Sequence, residues 1–328
     1  MKNNKKNYIQ NLLFEQIQKT LPANVALVNE ISDSLKIGVD SAYRRIRGDK
    51  LINFEETVTL CRHFGISLDL FLSKMDKNTI QCIFAPLDIN DFSNYLTYAQ
   101  ELLAVLENIK SLSDGEIILS AADIPAFHFL AYKELTYFYL FSWNKNICNY
   151  KDNFEEMCKI LDSHDLVKYY EKININYQQI PSTEVWTANT IDPIIKLLNY
   201  HSEMKHFNDK QIPLLICEQL LDLMNKVQNR MNNSTIGSNR VPYKFYISEI
   251  DIGNTYILFK KPGKSNCLIR LFTINGLNIV DEKFCQMVEN WIYNLTKRSV
   301  LISGTSEKEG FKFFDNQKEK IKHFMKSL

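Results

Sequence analysis

Residues 24–48, with the sequence NVALVNEISDSLKIGVDSAYRRIRG, decide the fold of the first part of the chain. Apolar residues recur in its first half at spacings of three and four, which predicts one buried stripe on a helix of about three turns. That stripe consists of Val25, Val28, Ile31 and Leu35. Gly38 tolerates the backbone of a tight turn, and the side-chain oxygens of Asp40 and Ser41 are suited to capping a new helix. The stretch therefore predicts a helix, a turn and a second helix.

The second helix is predicted to run to about Arg47 and to end at Gly48. Ala42 and Ile46 can face the first helix, because side chains four residues apart share one side of a helix. The other residues are expected to point outward, and they are Val39, Asp40, Ser41, Tyr43, Arg44 and Arg47.

This stretch resembles the phage-repressor type of helix-turn-helix that is found in many bacterial transcriptional regulators. Ala42 matches the small residue that packs between the helices, Ile37 the apolar residue of the turn, and Gly48 the closing glycine about eleven residues later. The resemblance implies binding to double-stranded DNA. Arg45 departs from the family's pattern, which usually has an apolar residue there. Its stem is expected to lie along apolar surface with the guanidinium at the rim.

The same resemblance implies a role for each outward residue. It places Arg47 toward the phosphate backbone. The residues that it places toward base edges are Val39, Asp40, Ser41, Tyr43 and Arg44. The alternative is that the arginines of this helix form the solvated face of an ordinary helix.

The flanking sequence predicts three more helices, which gives an all-α five-helix DNA-binding domain over residues 1–75. A first helix carries an apolar stripe from Ile9 to Ile17. A fourth begins at Asn53, which is predicted to form a capping box with Glu56, and it turns Phe54, Val58 and Cys61 inward. A short fifth helix over residues 67–72 closes the bundle.

Composition permits two domains, since the chain has 328 residues of which 45% are hydrophobic. The net charge is only +1, which gives no global electrostatic case for nucleic acid. Residues 1–75, however, hold 11 Lys and Arg against 8 Asp and Glu, a net charge of +3, while the remainder has 28 against 30. The basic excess therefore lies on the candidate DNA reader.

Cysteine usage and hydropathy predict a cytoplasmic protein. The seven cysteines are an odd number without a CxxC pair, which argues against a disulfide framework. The N-terminal residues lack the continuous apolar segment of a signal peptide. The most apolar region, residues 126–143, is interrupted by Lys133 and Glu134 and is too short to span a bilayer. No membrane partner is expected.

Residues 79–328 predict a larger α+β domain with an antiparallel sheet, which follows a short linker. Strands are predicted at 80–84, 116–120, 243–250, 255–260, 267–273 and 299–303, and the three from 243 to 273 are expected to form an antiparallel meander. Helices are predicted at 91–110, 154–173, 192–207, 209–231 and from 284 onward. The segments SAADIPAFHF, IPSTEVW and ISGTSEKEGFKFF resemble those of an uncharacterised family of bacterial proteins that carry the same kind of helix-turn-helix. That resemblance implies the two-part plan and no particular ligand.

The segment AADIPAFHFLAYKELTYFYLFSWNKN, residues 121–146, is dense in aromatic residues. Such density usually means burial on several sides. Aromatic walls are also typical of small-molecule sites, so the alternative is a site for an unknown effector whose binding changes DNA affinity. His128, Tyr132 and Tyr137 are the candidate ligand-binding residues.

Other chemical motifs are weak. Gly263-Lys264-Ser265 is similar to the end of a phosphate-binding loop, but Leu258 stands where the first glycine is required. His201 and His206 are five residues apart, whereas two metal ligands on one helical face need three or four. No GxSxG elbow is present. We therefore expect no enzyme activity, no metal and no cofactor.

The sequence predicts a sequence-specific, DNA-binding transcriptional regulator that acts as a homodimer, with a C-terminal dimerisation and effector domain. One alternative is a small-molecule-binding protein or enzyme that its N-terminal bundle tethers to DNA. Another is an adaptor whose N-terminal bundle binds protein.

Overall fold

The computed structural model describes residues 7–21, 25–68, 80, 82–84, 87, 93–261, 263, 265–271, 274–304 and 306–328. The chain divides into two compact units, residues 1–81 and 82–328. Residues 69–72 of the predicted fifth helix and the predicted linker at 75–79 lie outside the described residues.

Four helices precede the first strand in the part of the chain that the structure describes. They are α1 (Tyr8–Thr20), α2 (Leu27–Leu35), α3 (Val39–Ile46) and α4 (Phe54–His63). Their shared core contains the fully buried Ile17, Ile31, Ala42 and Leu60. The predicted fifth helix is not confirmed.

Two expectations for this unit were wrong. Val25 was expected to belong to the first helix of the pair, but it lies two residues before α2, which begins at Leu27. Phe54 was expected to face inward but is 75% exposed. It is the first residue of α4, directly after the surface residue Asn53 that caps the helix, and its side chain there lies outside the core that Leu60 and Cys61 enter further along.

The second unit combines helices with a large sheet, which confirms an α+β class. Its helices are α5 (Ser93–Lys110), α6 (Ala126–Phe129), α7 (Lys133–Ile147), α8 (Phe154–Asp162), α9 (Leu166–Tyr177), α10 (Asp192–Glu203), α11 (Gln211–Asn233), α12 (Glu282–Thr296) and α13 (Glu307–Met325). Its strands are β1 (Cys82–Phe84), β2 (Glu116–Ser120), β3 (Ser182–Thr187), β4 (Thr235–Ile236), β5 (Val241–Ser248), β6 (Tyr256–Lys260), β7 (Asn266–Leu271), β8 (Asn275–Ile279) and β9 (Val300–Leu301). The predicted helix at 154–173 is divided into α8 and α9 at Asp165, which has a left-handed φ of 53°.

The sheet is mixed, so the prediction of an antiparallel sheet was wrong for its centre. The strand order is β1-β8-β7-β6-β2-β3-β5-β4, and β9 pairs with β5. Strand β3 runs parallel to both of its neighbours, β2 and β5, and the other pairings are antiparallel. Parallel neighbours need a long crossover. Here α6 to α9 connect β2 to β3, and α10 and α11 connect β3 to β5. The predicted meander holds for β6 and β7, which β8 extends, but β5 lies elsewhere in the sheet.

The two faces of the sheet support two separate cores. Side chains alternate along each strand, so that Ile117 of β2 and Trp186 of β3 join the large core beneath α5 to α11 and α13. Val185 and Leu258 point the other way and pack with Val288 and its neighbours on α12. Because helices cover both faces, the central strand β3 is buried along its whole length.

The aromatic segment lies mainly in the large core. All ten residues of α7 from Leu135 to Asn144 are buried, which explains why no apolar stripe is visible in its sequence. Among the helices of the described residues, none is at once long enough and apolar enough to cross a lipid bilayer.

Candidate functional site

The turn between α2 and α3 is held by backbone hydrogen bonds to the last turn of α2. The Lys36 amide donates to Asp33 O at 3.3 Å and the Ile37 amide to Ser32 O at 3.0 Å, and Lys36 is left-handed with φ 53°. These two bonds form a Schellman motif, in which the residue after the last helical turn is left-handed. The expectation that Gly38 provides the tight turn was therefore wrong, and Gly38 has an ordinary φ of −66°.

Helix α3 buries one side and exposes the other. Ala42 is fully buried in the core with Ile31, and Ile46 packs against the same core. Five residues at helical spacing are exposed on the opposite side, and they are Val39, Asp40, Tyr43, Arg44 and Arg47. Ser41 is half-buried at the edge of this side. All six predicted DNA-contacting residues thus lie on or beside the outward face of α3.

Asp40 and Ser41 do not cap α3 as expected. The residue before the helix is Gly38, and no side chain caps it. Because Asp40 and Ser41 are already helical residues of the first turn, they lie two and three positions after Gly38, which holds the cap position. Their side chains belong to the outward face and its edge.

Arg45 is the main residue whose environment was misjudged. Its side chain is only 5% exposed, and its guanidinium forms a two-bond ion pair with Glu56 of α4 at 2.6 and 3.1 Å. The hydrogen bond from Arg45 lowers the pKa of Glu56. The guanidinium is therefore buried and paired, not placed at the rim, and it fastens α3 to α4.

A second contact holds the end of α3 to α1. The buried Gln10 side chain donates to Arg45 O at 2.7 Å and to Lys50 O at 3.0 Å, and it accepts from the Ile52 amide at 3.0 Å. A single side chain from α1 thus satisfies three backbone groups in the last turn of α3 and in the segment that follows it. Local sequence gives no signal for such a contact, because Gln10 is 35 to 42 residues away from its partners.

In the second unit, His128 and Tyr132 line one polar cavity of about 160 Å³. Helix α9 with the residue that follows it, and helix α11, supply the other polar groups of its wall, which are Asn174, Gln178, Lys226 and Arg230. Tyr132 donates to Asp222 at 2.7 Å, and the Lys226 ammonium lies 4.8 Å from the centre of the Tyr132 ring.

A buried carboxylate lies behind His128. Glu184 of β3 is fully buried, and its oxygens lie 2.9 and 3.0 Å from His128 Nε2. The Tyr177 hydroxyl and the Trp186 indole also donate to this carboxylate. Burial by itself raises the pKa of Glu184, whereas the hydrogen bonds from His128, Tyr177 and Trp186 lower it. These three donors favour the ionised form of the buried Glu184 carboxyl group.

Tyr137 is not part of this site. Its ring is buried, and its hydroxyl donates to Asp162 of α8 at 3.0 Å. Lys133 also pairs with Asp162. Tyr132 precedes α7 and its hydroxyl donates to Asp222, whereas Tyr137 lies within α7 and donates to Asp162. The predicted ligand-binding trio is therefore not brought together.

An apolar cavity of about 70 Å³ lies on the other side of α6. Phe127 and Phe129 line it, whereas His128 between them lines the polar cavity. Its polar lining includes Tyr139, whose buried hydroxyl has no hydrogen-bond partner among the described residues, and Arg270, which contacts Asp123. Burial lowers the pKa of Arg270 to about 10.

The two histidines of α10 and the following turn interact with each other. His201 Nδ1 and His206 Nδ1 are 2.8 Å apart, and His201 is fully buried. Two such nitrogens can share one hydrogen, which fits a structural contact. Among the described residues, no group of three or more His, Cys, Asp or Glu side chains is arranged to hold a metal ion.

Sequence reasoning did not identify Lys226, Arg230 or Glu184 as site residues. The first two had a usable signal, because cations four residues apart on a predicted helix share one face. Glu184 had none, since STEVWT is not recognisable as a buried strand.

Comparison with known proteins gives no further information: no protein-family model, curated protein or solved structure matches this chain.

Proposed function

We propose that this protein is a sequence-specific DNA-binding transcriptional regulator that reads DNA with α3. The observation that supports it is the division of α3 into a buried side, which packs on α2 and α4, and an exposed side with Tyr43, Arg44 and Arg47. A helix held in this way can enter the major groove and present side chains to base edges.

The anchoring of α3 also supports a reading role. Arg45 fixes it to α4, and Gln10 fixes its end to α1. Base readout needs side chains on a rigid element, and these contacts hold α3 without using any residue of its exposed face. The proposal therefore assigns Arg45 to support and Arg44 and Arg47 to DNA.

One helix-turn-helix contacts too little DNA for strong specificity. We infer that two copies bind a pseudo-palindromic site with half-sites about 34 to 36 Å apart. The second unit supplies the dimer contact and the effector site in this proposal.

The second candidate function is that of an enzyme tethered to DNA. The feature that suggests it is the cavity beside His128. Both ring nitrogens of His128 are already engaged, Nε2 by Glu184 and Nδ1 by Arg230 at 3.0 Å. A general base needs a nitrogen that can reach the substrate proton. This arrangement therefore favours binding over proton transfer.

Arg44→Ala and Arg47→Ala test the DNA assignment in the full chain. Bound DNA sequences are first selected from a random pool, and affinities are then measured on the selected site and on mismatched sites. Arg44→Ala is expected to cost about 1 to 3 kcal/mol on the selected site and to relax one base preference. Arg47→Ala should weaken binding to all sequences alike and reduce the salt slope by about one.

Arg298→Ala, which removes an exposed arginine from the second unit, is the matched control. Equal, sequence-independent losses from Arg44→Ala and Arg47→Ala would overturn the residue assignment. Failure to retain any DNA sequence would overturn the function.

A further inference from the structure

We propose that the polar cavity between α6, α9 and α11 binds a small molecule through an oxyanion, a carboxylate or a phosphate, with Arg230 as its principal partner and Lys226 at the rim. The inference deepens the effector part of the proposed function, because it names the class of ligand. Its test is a binding measurement without DNA, so the two can fail separately.

Among the described residues, Arg230 lines the cavity and has no carboxylate partner. Its side chain is half-buried, its Nη1 lies 3.0 Å from His128 Nδ1, and it has no ion-pair partner among the residues that the structure describes. A guanidinium has five N–H donors in a fixed fork. One of them is directed to His128, so others remain for a ligand in the cavity that Arg230 lines.

The contact with Arg230 determines the state of His128. A guanidinium can only donate, so Nδ1 of His128 must accept, and Nε2 then carries the hydrogen that is donated to Glu184. The ring is neutral in this arrangement. His128 therefore orients Arg230 from behind without adding a second positive charge.

Glu184 does not neutralise Arg230 directly. The neutral ring of His128 stands between them, and the Glu184 oxygens are occupied by His128, Tyr177 and Trp186. The carboxylate is also absent from the cavity lining. Glu184 therefore forms no ion pair with Arg230, and the Arg230 guanidinium faces the cavity.

Lys226 adds a second cation on the same side of α11. It lies four residues before Arg230, and side chains at this spacing are neighbours on a helix. It is exposed and pairs with Asp222 at 2.8 Å, while its ammonium lies over the Tyr132 ring. Asp222 reduces the contribution of Lys226, which makes it the weaker of the two anion contacts.

The size and wall of the cavity define the ligand further. A volume of about 160 Å³ is far above the roughly 10 to 15 Å³ that one water needs, so an oxyanion with a short organic body fits. Leu223 and Val227 provide apolar wall, and the Asn174 and Gln178 amides provide polar wall. A fork of guanidinium donors is suited to planar or tetrahedral oxyanions.

Thermal unfolding and calorimetric titration of the full chain test the inference. The probes are inorganic phosphate, glycerol 3-phosphate, acetate and succinate, with potassium chloride at matched ionic strength and glycerol as the neutral comparison. At least one oxyanion is expected to raise the unfolding temperature in a saturable manner, because a ligand that prefers the folded state stabilises it. Saturation by the phosphates alone or by the carboxylates alone identifies the group.

The expected variants separate the cavity from general charge effects. Arg230→Gln should weaken binding at least tenfold, because it removes the guanidinium, and Lys226→Gln should weaken it a few-fold without touching the buried network. Arg298→Gln, which removes an exposed arginine outside the cavity, should leave affinity unchanged. The inference is overturned if no oxyanion exceeds the salt and glycerol comparisons, or if Arg298→Gln loses as much affinity as Arg230→Gln.

Discussion

Arg45 and Arg47 lie two residues apart, and the fold gives them opposite environments. The Arg45 side chain is 5% exposed and is paired with Glu56, whereas the Arg47 side chain is 63% exposed and lies 3.2 Å from Asp49. Buried pairs are costly to break because one charge is left without compensation. Exposed pairs contribute little because solvent already screens them.

Arg45→Met is expected to destabilise the first unit by about 2 to 4 kcal/mol, and Arg47→Ala by less than about 1 kcal/mol. Hydrogen exchange of the amides over residues 7–68 in the full chain measures both. Adding Glu56→Gln to Arg45→Met should recover part of the loss, since Gln keeps the capping box and carries no charge. Equal effects of the two single changes would contradict this account.

The buried His201 makes the stability of the second unit depend on pH. Burial, followed by the nearby His206 and Lys145, lowers the pKa of His201 to about 4. In the unfolded chain a histidine takes up its proton near pH 6.5, so between that pH and about 4 the unfolded state binds more protons. Stability is therefore lost as the pH falls through this range.

We predict that the free energy of unfolding of the second unit falls by about 2 kcal/mol from this group between pH 6.5 and 4. Urea unfolding at a series of pH values measures it. His201→Gln should flatten the dependence, and His323→Gln, at an exposed position on α13, should not. An unchanged slope in His201→Gln would show that other groups dominate.

At the scale of the element, α4 shows how a local signal survives folding. The Glu56 amide donates to Asn53 Oδ1 at 2.7 Å, and the Asn53 amide donates back to Glu56 Oε2 at 3.2 Å. The predicted capping box is therefore confirmed. Glu56 also forms the ion pair with Arg45. One carboxylate therefore takes part in the cap of α4 and links α4 to α3.

Asn53→Ala should cost about 1 kcal/mol, because the Glu56 amide loses its acceptor. Amide exchange by NMR should show the largest acceleration at Glu56. Glu55→Ala changes the same helical turn but lies outside the box, so it should cost only a few tenths of a kcal/mol. A loss from Glu55→Ala as large as that from Asn53→Ala would mean that general charge, not capping, is responsible.

At the scale of the whole molecule, the proposed function requires two copies. We predict that residues 79–328 alone are dimeric and residues 1–75 alone monomeric, because the second unit supplies the dimer contact in the proposed function. Sedimentation equilibrium of the two fragments and the full chain measures this. A monomeric 79–328 fragment beside a dimeric full chain would move the dimer contact to the first unit.

The sequence by itself determined the elements whose signals are local. Strand β2 was predicted with its observed limits, 116–120, and α3 and α12 were each found from apolar spacing. Periodicity works there because each element buries one face and exposes the other. The outward set on α3 followed from the same rule.

Only the tertiary structure decided the partners of those elements. From its neighbours in the sequence, the Arg45 guanidinium was expected at the surface. Its burial depends on the ion pair with Glu56, which lies eleven residues away. The segment STEVWT contains polar residues and was not predicted as a strand. It is a buried strand because helices cover both faces of the sheet. Ser182 of β3 pairs in parallel with Ile117 and with Tyr243, which are 65 and 61 positions away. His128 contacts Glu184 and Arg230, which are 56 and 102 positions away. Spacing along a chain shows which face of an element is buried, but which distant groups meet there is set by how the chain closes.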